Sequence, residues 1–269
     1  MPYMSTIHHK IAFVKSQEYN GAVLAEELVL RLSELIHAGM STIRLERYAR
    51  ELLQAAGAEA ALPGLMGYRH TITVSINEEV AFGVPGPRIL RRGDVVKIGL
   101  GLKKDGKFEY AATTVVVGIP QDKEIEALIR CAREALHAGI AAAVAGERTG
   151  SISAACHAVV RKYGLSTVAN YGGHGIGKEL MTKPFVPGYG KEGEGDVLEE
   201  GMVLYLEPAV CLMPTIPAPE LVWCEYKYGP DQHTLWVKDA RACASFGKTV
   251  TVVPKDHESD KGTSAQRPD

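Results

Sequence analysis

Asn170-Tyr-Gly-Gly-His-Gly-Ile-Gly177 sets one histidine among glycines. Glycines let a backbone come close to a ligand or to another strand, and the imidazole supplies a base or a metal ligand. Downstream lie Pro184, Val186-Pro187 and Glu200-Gly-Met-Val-Leu-Tyr-Leu-Glu-Pro-Ala-Val210. Upstream lie Ser75-Ile-Asn-Glu78, Phe82-Gly-Val-Pro85 and Gly93-Asp-Val-Val-Lys-Ile98. The glycine motif lacks the Gly-Lys-Ser/Thr ending of a phosphate loop, and its spacing and surroundings do not suit a dinucleotide fingerprint.

Around this motif the chain repeats itself. Glu34-Leu-Ile-His-Ala-Gly-Met40 returns as Glu134-Ala-Leu-His-Ala-Gly-Ile140, and both stretches read as parts of apolar-periodic helices. A second helix is expected after each, Leu45 to Ala56 closing on Gly57 and Ile152 to Tyr163 closing on Gly164. Arg91-Arg-Gly-Asp-Val-Val-Lys-Ile-Gly99 parallels Glu199-Glu-Gly-Met-Val-Leu-Tyr-Leu-Glu207, in each case a charged pair and a glycine before a strand. Alternation over Val95 to Leu102 and Phe108 to Val117 predicts antiparallel strands. The order of these elements predicts an α+β fold in two related halves, residues 20–118 and 121–253, within one domain spanning 1–254. The polar stretch 255–269 reads as a frayed tail.

Composition narrows the function classes. With 269 residues and 46% hydrophobic content, the chain can bury a large core. Thirty basic and 32 acidic residues are scattered to a net charge of -2, so no nucleic-acid footprint stands out. No apolar run approaches the ~20 residues of a bilayer span, and Met1 to Lys15 has no hydrophobic signal core, so a cytoplasmic setting without membrane is expected. Cys131, Cys156, Cys211, Cys224 and Cys243 lack CxxC spacing and read as reduced packing residues.

The quoted motifs, in their order, resemble type I methionine aminopeptidases of the pita-bread (creatinase-like) family over about Ser5 to Val253. The resemblance implies a curved antiparallel sheet with helices on its convex face and a substrate cleft on the concave one. It also implies two divalent ions held by two aspartates, one histidine and two glutamates. Here His174 and Glu207 match that set, whereas the aspartate positions carry Gly99 and Tyr110 and the last glutamate position carries Gly247. Two further family histidines are replaced by Phe82 and Met181. Glycine has no donor atom and a phenol is a poor substitute for a bridging carboxylate, so no metal and no other cofactor is expected.

Strand alternation puts Lys97, Gly99 and Gly101 on one face, and Tyr205 with Glu207 on one face. If these faces line the cleft, the glycines open volume where the ions would sit. The expected reading is then a metal-independent enzyme on a small molecule, a lyase, isomerase, cyclase or hydrolase. His174 and Glu207 would be its acid–base pair and Tyr110 would steady an oxyanion. Substrate contacts would come from Phe82, Lys97, Gly99, Met181, Tyr205, Gly247 and His70. The alternatives are an inactive pseudo-peptidase that binds a peptide or protein, and a methionine aminopeptidase with an atypical metal site. The expected partner is a small-molecule or short peptide-like ligand; oligomeric state, and whether Trp223 to Trp236 forms a lid, an interface or plain packing, stay open.

Overall fold

The computed structural model describes residues 21–120, 122–214 and 223–255. Except for Lys255, the expected frayed tail lies outside the described residues. Lys255 itself pairs through its ammonium with Glu147 at 3.0 Å.

Four helices carry the apolar stripes: α1 (Gly21–Ser33), α2 (Thr42–Ala56), α3 (Lys123–Ala141) and α4 (Thr149–Lys162). In α2 the buried Leu45, Ala49, Leu52 and Leu53 recur at helical spacing, and Gly57 ends the helix in the left-handed region at φ 63°. At the start of α3, Asp122 accepts the Glu124 amide at 2.8 Å, an N-cap that also binds Arg241.

The two copies of the His-Ala-Gly stretch have different structures. Glu134–Ile140 lies within α3, whereas α1 ends at Ser33 and Glu34–Met40 has left the helix, contrary to expectation. The cause is a rival set of backbone bonds: the Gly39 amide donates to Leu90 and the Leu90 amide to Met40, both within 2.9 Å. Gly39 meets that demand at φ 86°, a conformation open to glycine. In the second copy Gly139 instead allows a close helix crossing, because a Cβ there would stand 2.6 Å from the Cys156 sulfur on α4.

The strands are mostly antiparallel. In the first half, Val95–Lys104 is paired with Ile72–Ile76 on one side and Lys107–Val116 on the other. In the second half, Ala209–Leu212 lies between Ser166–Val168 and Ala242–Ser245. Val203–Leu206 lies between Gly172–Gly175 and Lys248–Thr251. The halves meet where Ala112 and Gly247 exchange both backbone bonds, at 3.0 and 2.9 Å. Helices α1 and α2 cover the first core, with Leu24, Leu28, Ile98 and Leu100. Helices α3 and α4 cover the second, with Leu128, Ala132, Leu204 and Val210. This leaves the far side of the strands free to line a cleft. Among the described residues no helix is long and apolar enough to cross a membrane.

Candidate functional site

Glu207 leaves the Val203–Leu206 strand just before Pro208, with Tyr205 two residues earlier on the same pleat side. Register across Ala209–Leu212 brings Ser245 opposite Ala209, and the glycine motif places Tyr171 beside the same carboxylate. Three hydroxyls therefore converge on Glu207. Tyr171 and Tyr205 each donate to Oε2 at 2.6 Å, and Ser245 donates to Oε1 at 2.8 Å. Burial pushes the Glu207 carboxyl above its usual range, while these hydroxyls and the Lys97 charge pull it back. The same burial raises the phenols of Tyr110, Tyr171 and Tyr205, so they remain protonated donors.

Two glycines shape this cluster in a way that sequence reasoning had reversed. Gly99 and Gly247 were expected to leave open volume, but phenols occupy it. A Cβ on Gly99 would fall 2.3 Å from the Tyr110 hydroxyl and 2.7 Å from Thr73 Oγ1; one on Gly247 would fall 1.9 Å from the Tyr205 hydroxyl. Tyr110 stands across the strand pair from Gly101, and its ring also lies 3.0 Å from a Cβ built there. The rings of Tyr110 and Tyr205 then meet edge to face, with centroids 4.8 Å apart. Glycine has no side chain to keep a neighbour away, so each bare position has been filled by a ring from the adjoining strand.

His174 and Glu207 make no hydrogen bond to each other. The imidazole donates from Nδ1 to the Gly175 carbonyl at 2.9 Å, leaving Nε2 as the unprotonated nitrogen of the neutral ring. Burial lowers its pKa, opposed by that carbonyl bond. The His174 ring packs on Tyr205 at 5.4 Å, while the bonds of Glu207 go to the three hydroxyls. The acid–base pairing expected of these residues is therefore absent from the hydrogen bonding: Glu207 is engaged by Tyr171, Tyr205 and Ser245, and His174 by the Gly175 carbonyl.

Lys97, also expected to contact substrate, is buried behind the cluster. Its ammonium donates to the carbonyls of Cys243 at 2.8 Å and Asn77 at 3.2 Å, and desolvation lowers its pKa. Lys248 faces away to Glu26 at 3.1 Å.

In front of Glu207 opens a largely apolar cavity of about 170 Å³. Phe82, Tyr110, His174, Met181, Tyr205 and Glu207 all line it, while Lys97, Gly99, Gly247 and His70 do not. The His70 ring instead contacts Tyr68, with the centroids 5.7 Å apart in a T-shaped arrangement. Phe82 holds a left-handed φ of 54°, braced by the Gly83 amide donating to Ser75 Oγ at 3.0 Å. Leu62, Tyr68, Tyr171, Leu180 and Tyr226 complete much of the wall and were not foreseen as site residues. Tyr171 had a signal, since it sits inside the glycine motif; the others stand in ordinary apolar stretches. Tyr226, Tyr228, Gln232, His233 and Leu235 all face the cavity, so the Trp223–Trp236 segment, left open above, supplies one wall of it.

The donors present do not fit a pair of divalent ions. Among the described residues no three of His, Cys, Asp and Glu gather in a way that could hold a metal. Both Glu207 oxygens are engaged by hydroxyls, and the Tyr110 and Tyr205 phenols fill the space beside Gly99 and Gly247. Two side-chain ligands fall short of the three that hydrolytic zinc sites usually keep.

Antiparallel strands in two halves, helices over one side and a cleft at Glu207 define a pita-bread protein. The chain belongs to metallopeptidase family M24, whose model matches residues 19–252. It is 34% identical to methionine aminopeptidase 1 of Bacillus subtilis over 222 residues, covering 82% of this chain and 85% of that protein. It is 38% identical to methionine aminopeptidase 1 of Mycobacterium tuberculosis over 239 residues, covering 86% of each. Among solved structures, the methionine aminopeptidase of Thermotoga maritima superposes with a TM-score of 0.78 at 29% identity, covering 87% of this chain and 90% of that one.

These relatives overturn the expectation of a metal-independent enzyme acting on a small molecule. Proteins alike over most of their length carry the name of a peptidase, and they favour the methionine aminopeptidase alternative instead.

Proposed function

We propose that this chain is a methionine aminopeptidase-type protein whose cavity takes the N-terminal methionyl end of a peptide. The observation that carries the reading is the cavity itself, with an apolar wall of Leu62, Tyr68, Phe82, Leu180 and Met181 leading to the carboxylate of Glu207. A space of about 170 Å³ suits one side chain rather than an extended molecule, against the 300 Å³ or more common for drug-sized ligands. A thioether packs well against such aromatic walls. The named relatives support the same substrate end. A cytoplasmic setting belongs to this proposal.

No hydrolytic step is assigned, because the donor set does not fit the ions that the family resemblance implies. Titrating the full chain with a methionyl tripeptide, and assaying methionine release with and without manganese or cobalt, tests the reading. Saturable binding that weakens when the first residue is changed to aspartate is expected. Indifference to the first residue would overturn it.

A further inference from the structure

Glu207 is a buried carboxylate at the end of an apolar cavity, and none of its hydrogen bonds comes from a cation. The positive group with an electrostatic effect on it is Lys97, whose ammonium is bound to the Cys243 and Asn77 carbonyls. A buried carboxylate ordinarily has a counter-ion or a metal. Here the donor set does not fit a metal and hydroxyls supply the hydrogen bonds, which leaves a counter-ion to come from the cavity.

The polarity of the cluster says what kind of group that is. Tyr171 and Tyr205 both spend their single proton on Glu207 Oε2, and Ser245 spends its proton on Oε1. Each phenol oxygen then keeps only acceptor lone pairs, and so does the carboxylate. The wall that Tyr171, Tyr205 and Glu207 turn to the cavity therefore offers acceptors. A carboxylate or phosphate would find no donor in these three groups; a primary ammonium, with three N–H donors, matches them.

We infer that Glu207, with the phenol oxygens of Tyr171 and Tyr205, receives the positively charged amine of the ligand directly, at the end of the cavity that these three residues line. This rests on the peptide-end reading for the ligand's identity, and on the hydroxyl cluster alone for its charge. The His174 Nε2 edge and the apolar wall then face the part of the ligand beyond the amine.

The test is calorimetric titration of the full chain with methioninamide and its desamino analogue, and with a methionyl peptide and its N-acetyl form. Removing or acetylating the amine is expected to weaken binding about 30-fold or more. In Glu207→Gln the ratio between amine and desamino ligand should fall to within about 3-fold. Tyr205→Phe, which keeps the ring, should lower it several-fold; near-ultraviolet circular dichroism checks that each variant is folded. Equal affinity for the amine and desamino forms overturns the inference while leaving a peptide reading intact. Discrimination on methioninamide without any peptide binding overturns the peptide reading and keeps the inference; no binding of either overturns both. Stoichiometric manganese or cobalt, retained on dialysis and lost in Glu207→Gln, also overturns it.

Discussion

Gly247→Ala should be far more damaging than a single methyl group suggests. The new Cβ would lie 1.9 Å from the Tyr205 hydroxyl, 2.5 Å from Cζ and 2.8 Å from Cε2. Ordinary contact begins near 3.4 Å, so the ring must move by more than 1 Å. Tyr205 is only 2% exposed and has Tyr110 against it at 4.8 Å, so little free space is available. Overpacking of this kind costs about 1–3 kcal/mol. Moving the hydroxyl also breaks its 2.6 Å bond to Glu207, and a hydrogen bond to a charged group is worth about 1.5–3 kcal/mol. Together these predict a loss of roughly 3–5 kcal/mol, read as a lower midpoint in urea unfolding at unchanged slope. Because the cost arises at Tyr205, a double-mutant cycle decides the matter. In a Tyr205→Ala background the same Gly247→Ala change should cost under about 1 kcal/mol. Equal costs in the two backgrounds would refute the account of these phenols as the occupants of the glycine positions.

Other consequences follow from particular buried groups. The Glu109 carboxyl, with one oxygen lacking a partner and Glu26 nearby, is pushed up to about 7, chiefly by burial. Folded Glu109 thus holds its proton where the unfolded chain has released it. Its contribution to stability is full below pH ~4.5 and declines until about 7; Glu109→Gln should flatten that slope and stabilise the protein at neutral pH by on the order of 1 kcal/mol, measured by unfolding at several pH values. Glu46, buried in α2, accepts the amides of Thr71 and Ile72, so Glu46→Ala should cost about 2–4 kcal/mol in chemical denaturation. Met181→Glu, which places a charge in the apolar wall at a residue that is 39% exposed, should weaken methionyl-peptide binding at least tenfold in titration while changing the unfolding midpoint little. Of the five free thiols, Cys224 is the one not fully buried, whereas burial pushes Cys131 and Cys156 up to about 12. A thiol reagent should modify Cys224 first under native conditions and reach Cys131 and Cys156 only on unfolding.

The repeat, the alternating strands and the glycine-histidine motif made the halves and the fold class legible, because periodicity and turn residues act locally along the chain. His174, Glu207, Tyr110, Phe82 and Met181 were legible as cavity residues through the family resemblance. Lys97 was misread: alternation tells which side of a strand a residue faces, but not that two carbonyls from distant segments, Asn77 and Cys243, wait there to bind its ammonium. His70 likewise does not line the cavity; its ring contacts Tyr68, which does.

The sequence by itself determined that carboxylates are missing at positions 99, 110 and 247, since a glycine or a tyrosine cannot coordinate as an aspartate or glutamate does. It could not determine what became of the space. That was decided by strand register, which sets Tyr110 opposite Gly101 and Thr249 opposite Tyr205, and so swings two rings into the gaps beside Gly99 and Gly247. Whether a vacated position becomes a cavity or is filled depends on which side chains lie across the sheet from it, and here these stand 11 and 42 positions away in the chain, Tyr110 for Gly99 and Tyr205 for Gly247.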